Sequence, residues 1–278
     1  MNLLDSQSSL WSAELELGFD FRHGKTVMSH NRHEGPLVVQ KALYPEGPKM
    51  CQILIIHPPG GIAGGDVLKL TCDLGAGANA QFTTPGATKW YESFERPSKQ
   101  STMFNVKSNS VCEWMPQENI IFNKCLADME INVSVEAGGV FVGWDFCALG
   151  RHIDHAPLLE GRLKQKINIS VDGVSKFLER TIFSPDQFMD GPGILDDFSN
   201  FGTMAVVGVE HDKILMDDLR GIAKEETHCG ITSLNDVLII RWVGGDIERG
   251  RQVFTNMWVR LRPLYSSHAA VTPRIWNT

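Results

Sequence analysis

The sequence lacks any apolar run of the roughly 20 residues that a membrane-spanning helix needs. Its first ten residues also lack the basic segment and the apolar core of a secretory signal. Cysteine is scarce, and the six cysteines never form a C-x-x-C pair, so the usual signatures of structural zinc and of redox dithiols are missing. These absences predict a cytoplasmic protein with no membrane partner.

Basic residues are also in the minority. The chain has 278 residues, with 26 Lys and Arg against 33 Asp and Glu, which gives a formal net charge of −7. A protein that holds a nucleic-acid backbone needs clustered Lys and Arg to displace counterions, and the sequence has no such run. We therefore expect no nucleic-acid partner. Because no linker or composition shift divides the chain, we predict a single domain over residues 1–278.

Hydrophobic alternation dominates the first two thirds of the chain and is typical of strands with one buried face. Apolar residues occupy every second position over residues 11–21. The same pattern covers residues 163–171, although Gln165 interrupts it. Continuous apolar runs such as residues 51–56 predict strands that are buried on both faces. The protein is therefore predicted to be mainly β, and the pattern alone does not distinguish a sandwich from a solenoid.

Helical periodicity is confined to the last third of the chain. Apolar residues recur at helical spacing from about Glu248 to Leu264, and a shorter amphipathic segment covers residues 212–224. We therefore predict about two α-helices toward the C-terminus. Because apolar stripes on helices usually face a core, we expect both helices to pack on the β body, with partner binding as the alternative.

The most unusual segment runs from His57 to Asp66, directly after the apolar run at residues 51–56. Its glycines do not match the dinucleotide-binding spacing. The P-loop spacing from Gly60 to Gly65 is followed by Asp66, where phosphate binding needs Lys. Four glycines and two prolines instead predict a tight turn with positive φ or close packing. His57 and Asp66, at its two ends, could also face one polar space and contact a metal ion.

A second candidate metal site lies at His152 and His155, which flank Asp154. Two imidazoles and a carboxylate suit Zn²⁺ or Ni²⁺, while the neighbouring glycine and proline favour a solvated loop. Together with His57, these histidines leave open a metalloenzyme on a β fold. The sequence contains no H-E-x-x-H and no G-x-S-x-G motif, so we expect a binding or assembly protein rather than an enzyme.

Several short motifs follow one another in order along the chain. They are residues 57–66 (HPPGGIAGGD), 83–89 (TTPGATK) with Tyr91, 115–119 (MPQEN), 143–145 (GWD), 149–151 (LGR), 178–180 (LER) and 273–276 (PRIW). In type and order they resemble the urease accessory proteins of the UreD family, called UreH in some organisms. The resemblance covers essentially the whole chain. The main departure is at residues 152–155, where members more often carry small residues and a Gly-Glu pair.

The resemblance implies a non-enzymatic chaperone for nickel insertion into urease. Such proteins bind apo-urease and a helical partner, UreF, which recruits the GTPase UreG. The resemblance also implies a β-helical or β-solenoid-like body of many short strands, with an internal polar passage as the nickel route. We expect no tightly bound cofactor, only transient Ni²⁺. The missing phosphate-binding Lys agrees with the role of a separate GTPase, because nucleotide chemistry would then belong to that partner.

Acidic residues inside the matched motifs are the candidates for lining such a passage. Nickel in transit needs ligands that replace its lost hydration and still exchange fast, which single carboxylates do better than thiolates. The metal-contact candidates are Asp66, Asp145, Glu179, Glu118 and, as a fifth, His57. The alternative for Glu118 and Glu179 is pairing with Arg or with backbone amides. A β-rich interaction module that has nothing to do with nickel also stays open.

Overall fold

The computed structural model describes residues 11–151, 156–185, 195 and 198–277. The first strands are β1 (Ser12–Arg22), β2 (Lys25–Glu34), β3 (Val38–Leu43), β4 (Met50–Ile56), β5 (Gly61–Ile62), β6 (Val67–Leu74), β7 (Asn79–Thr83), β8 (Thr88–Trp90), β9 (Ser98–Val106) and β10 (Val111–Trp114). The later strands are β11 (Asn119–Ile121), β12 (Cys125–Val135), β13 (Val140–Arg151), β14 (Ala156–Pro157), β15 (Gly161–Val171), β16 (Val174–Phe183), β17 (Asn200–Val207), β18 (Cys229–Leu234) and β19 (Val237–Gly244). The helices are α1 (Lys213–Ile222) and α2 (Ile247–Leu261), followed by the 3₁₀ turns Arg262–Leu264 and Arg274–Asn277.

The central strands wind as a parallel solenoid. Sheet A has the order β16-β15-β12-β9-β6-β1-β2, and sheet B has the order β18-β19-β17-β13-β10-β7-β4-β3. Parallel pairing of β6, β9 and β12 in sheet A is matched by parallel pairing of β7, β10 and β13 in sheet B, so each turn of chain adds a strand to both sheets. The short strands β5, β8 and β11 form a third side that ends on β13. About four turns stack in this way, which confirms the mainly β, solenoid-like body with helices toward the C-terminus.

Stacked apolar side chains fill the inside of the solenoid. The register of sheet A aligns one row of five buried residues, namely Leu17, Cys72, Phe104, Val133 and Ile169. The alternation seen in the sequence produces this row, because every second side chain of a strand points to the same face. Fully burying an aliphatic or aromatic side chain of this size contributes about 1.5–3 kcal/mol. The row therefore stabilises the stacking of one turn on the next.

A second apolar core lies between the outer face of sheet B and the helices. Helix α2 buries one stripe of side chains, namely Val253, Phe254, Met257, Trp258 and Leu261. The ring of Phe254 lies 4.7 Å from the ring of Phe146 on β13. Asp212 caps the start of α1 by accepting a hydrogen bond from the backbone N–H of Leu215. Both helices therefore pack on the β body, as their apolar stripes predict. Neither helix of the described ranges has the length and the apolar composition that a membrane span requires.

Candidate functional site

The glycine-rich turn between β4 and β6 has the backbone that its sequence predicts. Gly60 and Gly65 have φ angles of 75° and 91°, a conformation that glycine adopts without steric cost. Gly64 is required for a different reason, because a Cβ at this position would lie 2.1 Å from the carbonyl oxygen of Ser93. The sequence predicted positive φ or close packing for this turn, and the structure has both, at different glycines.

The two ends of this turn have different surroundings. Asp66 Oδ2 accepts a hydrogen bond from the backbone N–H of Ala63 over 2.8 Å, so the carboxylate closes the turn. His57 is half-buried and lines a cavity of about 340 Å³. Burial lowers the pKa of His57, although the nearby Asp66 opposes this effect. The imidazole is therefore neutral at pH 7 and keeps a nitrogen lone pair for a metal ion.

A buried polar cluster interrupts the apolar interior of the solenoid. Asp145 on β13 is 4% exposed. Its Oδ1 accepts a hydrogen bond from Asn119 Nδ2 and its Oδ2 accepts one from Gln165 Nε2, each over 2.8 Å. Asn119 Oδ1 accepts a further hydrogen bond from Trp90 Nε1 over 3.0 Å. Asp145 therefore links β11 on the third side of the solenoid to β15 in sheet A.

Burial sets the protonation state of Asp145. Desolvation raises the pKa of this carboxyl from 3.8 to about 7, against the hydrogen bonds from Gln165 and Asn119, which lower it. Near pH 7 the carboxyl is therefore ionised in only part of the molecules. A cation that reaches Asp145 favours the ionised form by Coulomb attraction. The group can consequently accept a cation and release it again as it regains its proton.

Two cavities adjoin each other, one beside His57 and the other beside Asp145. Asp145 and Asn119 line an inner cavity of about 30 Å³. This cavity and the 340 Å³ cavity beside His57 share four wall residues, namely Thr84, Thr88, Gln100 and Trp114. We call the line from His57 past this shared wall to Asp145 the polar path. The inner cavity has room for about one or two water molecules, so a hydrated metal ion would have to lose most of its water to enter it.

The remaining candidate carboxylates lie outside the lining of the polar path. Glu118 Oε2 is 3.4 Å from Nη1 of Arg251 on α2, and both side chains are mostly buried. Glu179 on β16 forms an ion pair with Arg241 of β19 and lines a separate cleft of about 470 Å³. Both glutamates thus have the arginine partners that were the alternative for them. Together with Asp66, they already have hydrogen-bonding or ionic partners elsewhere.

The second candidate metal site, His152 and His155, lies outside the described residues. Within the described part of the chain, no group of three or more His, Cys, Asp and Glu side chains is placed to hold a metal ion. Reasoning from the sequence also did not assign Asn119 and Gln165 to the site. For Gln165 a signal was available, because it is the polar residue that interrupts the apolar alternation of β15.

A second buried polar cluster, which the sequence did not reveal, joins sheet B to the C-terminal region. Glu113 on β10 is fully buried. Its carboxylate accepts hydrogen bonds from Gln81 Nε2 (2.8 Å), Trp258 Nε1 (2.9 Å), Arg262 Nη1 (3.1 Å) and Tyr265 OH (2.6 Å). Arg262 also pairs with Glu46, whose pKa is raised by burial. The only available signal was an acidic residue within a strand that is otherwise apolar.

These features define a class of protein, a parallel β-solenoid covered by helices on one sheet, with polar groups enclosed in its interior. The family profile described as UreD urease accessory protein matches residues 12–277. The chain is 39% identical over 270 residues to the urease accessory protein UreD of Methylobacillus flagellatus, which covers 96% of this chain and 95% of that protein. It is 38% identical over 269 residues to the protein of the same name from Azoarcus sp., covering 96% and 94%. It is also 39% identical over 276 residues to that of Dechloromonas aromatica, covering 98% and 96%. The chain belongs to the UreD family.

Proposed function

We propose that this chain is a non-enzymatic scaffold of urease maturation, which works in the cytoplasm and binds apo-urease during nickel insertion. Membership of a family of urease accessory proteins supports the role in maturation. The proposal includes a UreF-like partner that recruits a UreG-like GTPase. This division of labour is supported by the glycine-rich turn, which ends on the carboxylate of Asp66 and so repels the phosphates of a nucleotide.

The proposed route of transient Ni²⁺ is the polar path. The observation that carries this proposal is the buried carboxyl of Asp145, held between Asn119 and Gln165 beside the inner cavity. Neutral imidazole and carboxylate oxygen are both good ligands for Ni²⁺, so His57 would meet the ion first and Asp145 second. One carboxylate with amide neighbours binds the ion weakly enough to release it, whereas a cluster of thiolates would retain it.

The other three candidates are part of this proposal on one condition. Asp66, Glu118 and Glu179 could contact the ion only after their present partners had released them. Asp66 would have to break its hydrogen bond to Ala63. Glu118 and Glu179 would have to break the ion pairs with their arginines. We therefore expect His57 and Asp145, which line the polar path, to contact the ion more readily than these three carboxylates.

The test is an Asp145→Asn substitution, which keeps the size of the side chain and removes its ability to ionise. We expect urease activation in cells to fall while the variant still copurifies with apo-urease. Asp145→Glu should retain part of the activation, because it keeps the carboxylate. Asp236→Asn serves as the matched control, since the Asp236 side chain is 93% exposed, and it should activate urease normally.

Two results would contradict separate parts of the proposal. Full activation by Asp145→Asn would reject the polar path as the nickel route and leave the scaffold role in place. Failure of the unaltered chain to bind apo-urease, both alone and together with a UreF-like partner, would reject the scaffold role itself.

A further inference from the structure

Four exposed cations stand on the outer face of sheet A. They are Lys69 on β6, Lys99 on β9, Lys164 on β15 and Arg180 on β16. Each alternates with inward-facing residues of its strand, so all four point away from the apolar interior. In the part of the chain that the structure describes, none of the four side chains has a hydrogen bond or an ion pair. Their charges are therefore available to another molecule.

The register of the solenoid brings these cations together although they are far apart in the sequence. Lys99 and Lys164 lie on either side of Asp128 in neighbouring strands. Arg180 lies opposite Lys166, which in turn lies opposite Glu130. Asp128 and Glu130 are already paired, with Arg162 and Lys166 respectively.

The local charge around these four cations is opposite to that of the whole chain. The groove that they border is lined by five cations, the four named above and Lys166, and by two carboxylates, Asp128 and Glu130. The cations of this lining therefore outnumber its carboxylates, whereas the chain as a whole has a net charge of −7. Such a local excess attracts an acidic surface and steers its approach.

These side chains border a groove rather than a flat surface. The groove has a volume of about 460 Å³, and its lining includes Lys69, Lys99, Lys164 and Arg180. Ile182, which is 51% exposed, also lines it. Leu178, on the same face of β16, is 49% exposed. Apolar side chains thus lie directly beside the free cations at one edge of the sheet.

We propose that this basic groove docks an acidic segment of a partner protein in which apolar residues alternate with Asp or Glu. Unpaired cations beside exposed Ile182 and Leu178 match such a segment in both charge and hydrophobicity. A nucleic-acid backbone fits less well, because Asp128 and Glu130 stand among the cations and would repel a continuous row of phosphates. This docking surface goes beyond the role proposed above and does not depend on nickel.

The experiment measures binding of a short fluorescein-labelled peptide of alternating Glu and Leu to the full chain by fluorescence anisotropy. The test variant reverses Lys69, Lys99, Lys164 and Arg180 to Glu. The control variant reverses four exposed lysines outside this face to Glu, namely Lys41, Lys49, Lys213 and Lys224. The two variants change the net charge equally, so only the position of the charges differs. A milder version with Gln at the four groove positions covers the case in which the reversed chain unfolds.

We expect the groove variants to bind the peptide at least about tenfold more weakly, and the control variant to lose much less. Binding to the unaltered chain should weaken as salt is added, because exposed charges are screened. Equal binding by the groove and control variants would overturn the proposal. Tighter binding of a single-stranded DNA of equal charge, or of anionic lipid vesicles, would overturn the assignment of the groove to a protein segment.

Discussion

The indole of Trp258 donates a hydrogen bond to the carboxylate of Glu113 over 2.9 Å, and this contact joins the last helix to a strand in the middle of the chain. Arg262 Nη1 lies 3.1 Å from the same carboxylate, and neither of these two charged side chains is exposed. Removing one member of a buried ion pair leaves the other charge uncompensated, which costs far more than losing a surface pair. The position of α2 on sheet B therefore depends on this polar cluster as well as on the apolar stripe.

Arg262→Met should lower the free energy of unfolding by about 3–5 kcal/mol, because Glu113 and Glu46 would both keep a buried carboxylate without a cation. Urea denaturation followed by tryptophan fluorescence measures the change. Arg220→Met is the control, since Arg220 pairs with Asp217 at the surface, and such pairs contribute at most about 1 kcal/mol. Equal stability of the two variants would show that the buried pair does not hold the helix.

Asp145 should make the folded protein less stable as the pH rises. The carboxyl ionises near 3.8 in the unfolded chain and near 7 in the folded one. Between these pH values the folded state therefore holds a proton that the unfolded state has released, so stability falls from about pH 4 to about pH 7 and then levels off. Because one pKa unit corresponds to about 1.4 kcal/mol, the loss is at most about 4 kcal/mol.

Asp145→Asn removes this titration, so its stability relative to the unaltered chain should increase between pH 5 and pH 8. Thermal unfolding of both proteins at the two pH values measures the difference. The same variant is expected to lose urease activation, which separates a functional loss from a failure to fold. A stability difference that stays constant across the pH range would show that Asp145 is ionised normally in the folded state.

The turn between β4 and β6 should tolerate a methyl group poorly at Gly64. A Cβ there would meet the backbone oxygen of Ser93 at 2.1 Å, and backbone cannot move aside as a flexible side chain can. We expect Gly64→Ala to cost about 1–3 kcal/mol of unfolding free energy, as overpacking usually does. Gly86→Ala should change stability by about 0.5 kcal/mol or less, because a Cβ at Gly86 has no other atom within 4 Å. A loss at Gly64 no larger than that at Gly86 would contradict the close packing.

Local patterns in the sequence were sufficient to predict several of the strands, the two helices and the tight turn. Alternation over residues 11–21 corresponds to β1, and the apolar stripe that follows Glu248 corresponds to α2. The glycines at 60 and 65 have the positive φ that the composition of the turn required. Each of these features depends on residues close together in the chain, which is why periodicity and turn chemistry reveal them.

The arrangement of the site could not be predicted in the same way. The site forms where three sides of the solenoid face one another, which brings together Asn119 of β11, Asp145 of β13 and Gln165 of β15. The spacing of these residues in the sequence does not predict the register of the strands that aligns them. The basic groove has the same origin, since β6, β9, β15 and β16 each contribute one or two cations to a shared face. Glu179 has the carboxylate expected of a metal contact. Its strand β16 lies at the edge of sheet A, where Glu179 pairs with Arg241 instead.

The contact between Glu113 and Arg262 also bears on the order of folding during synthesis. Glu113 belongs to a turn in the middle of the solenoid, but its cation follows 149 residues later in the chain. Until Arg262 has emerged, the carboxylate has no buried cation and must keep its water, so the outer face of sheet B cannot close. The inner core of stacked turns can form as each turn is made, whereas the helix-covered core has to wait until α2 and Arg262 have been made.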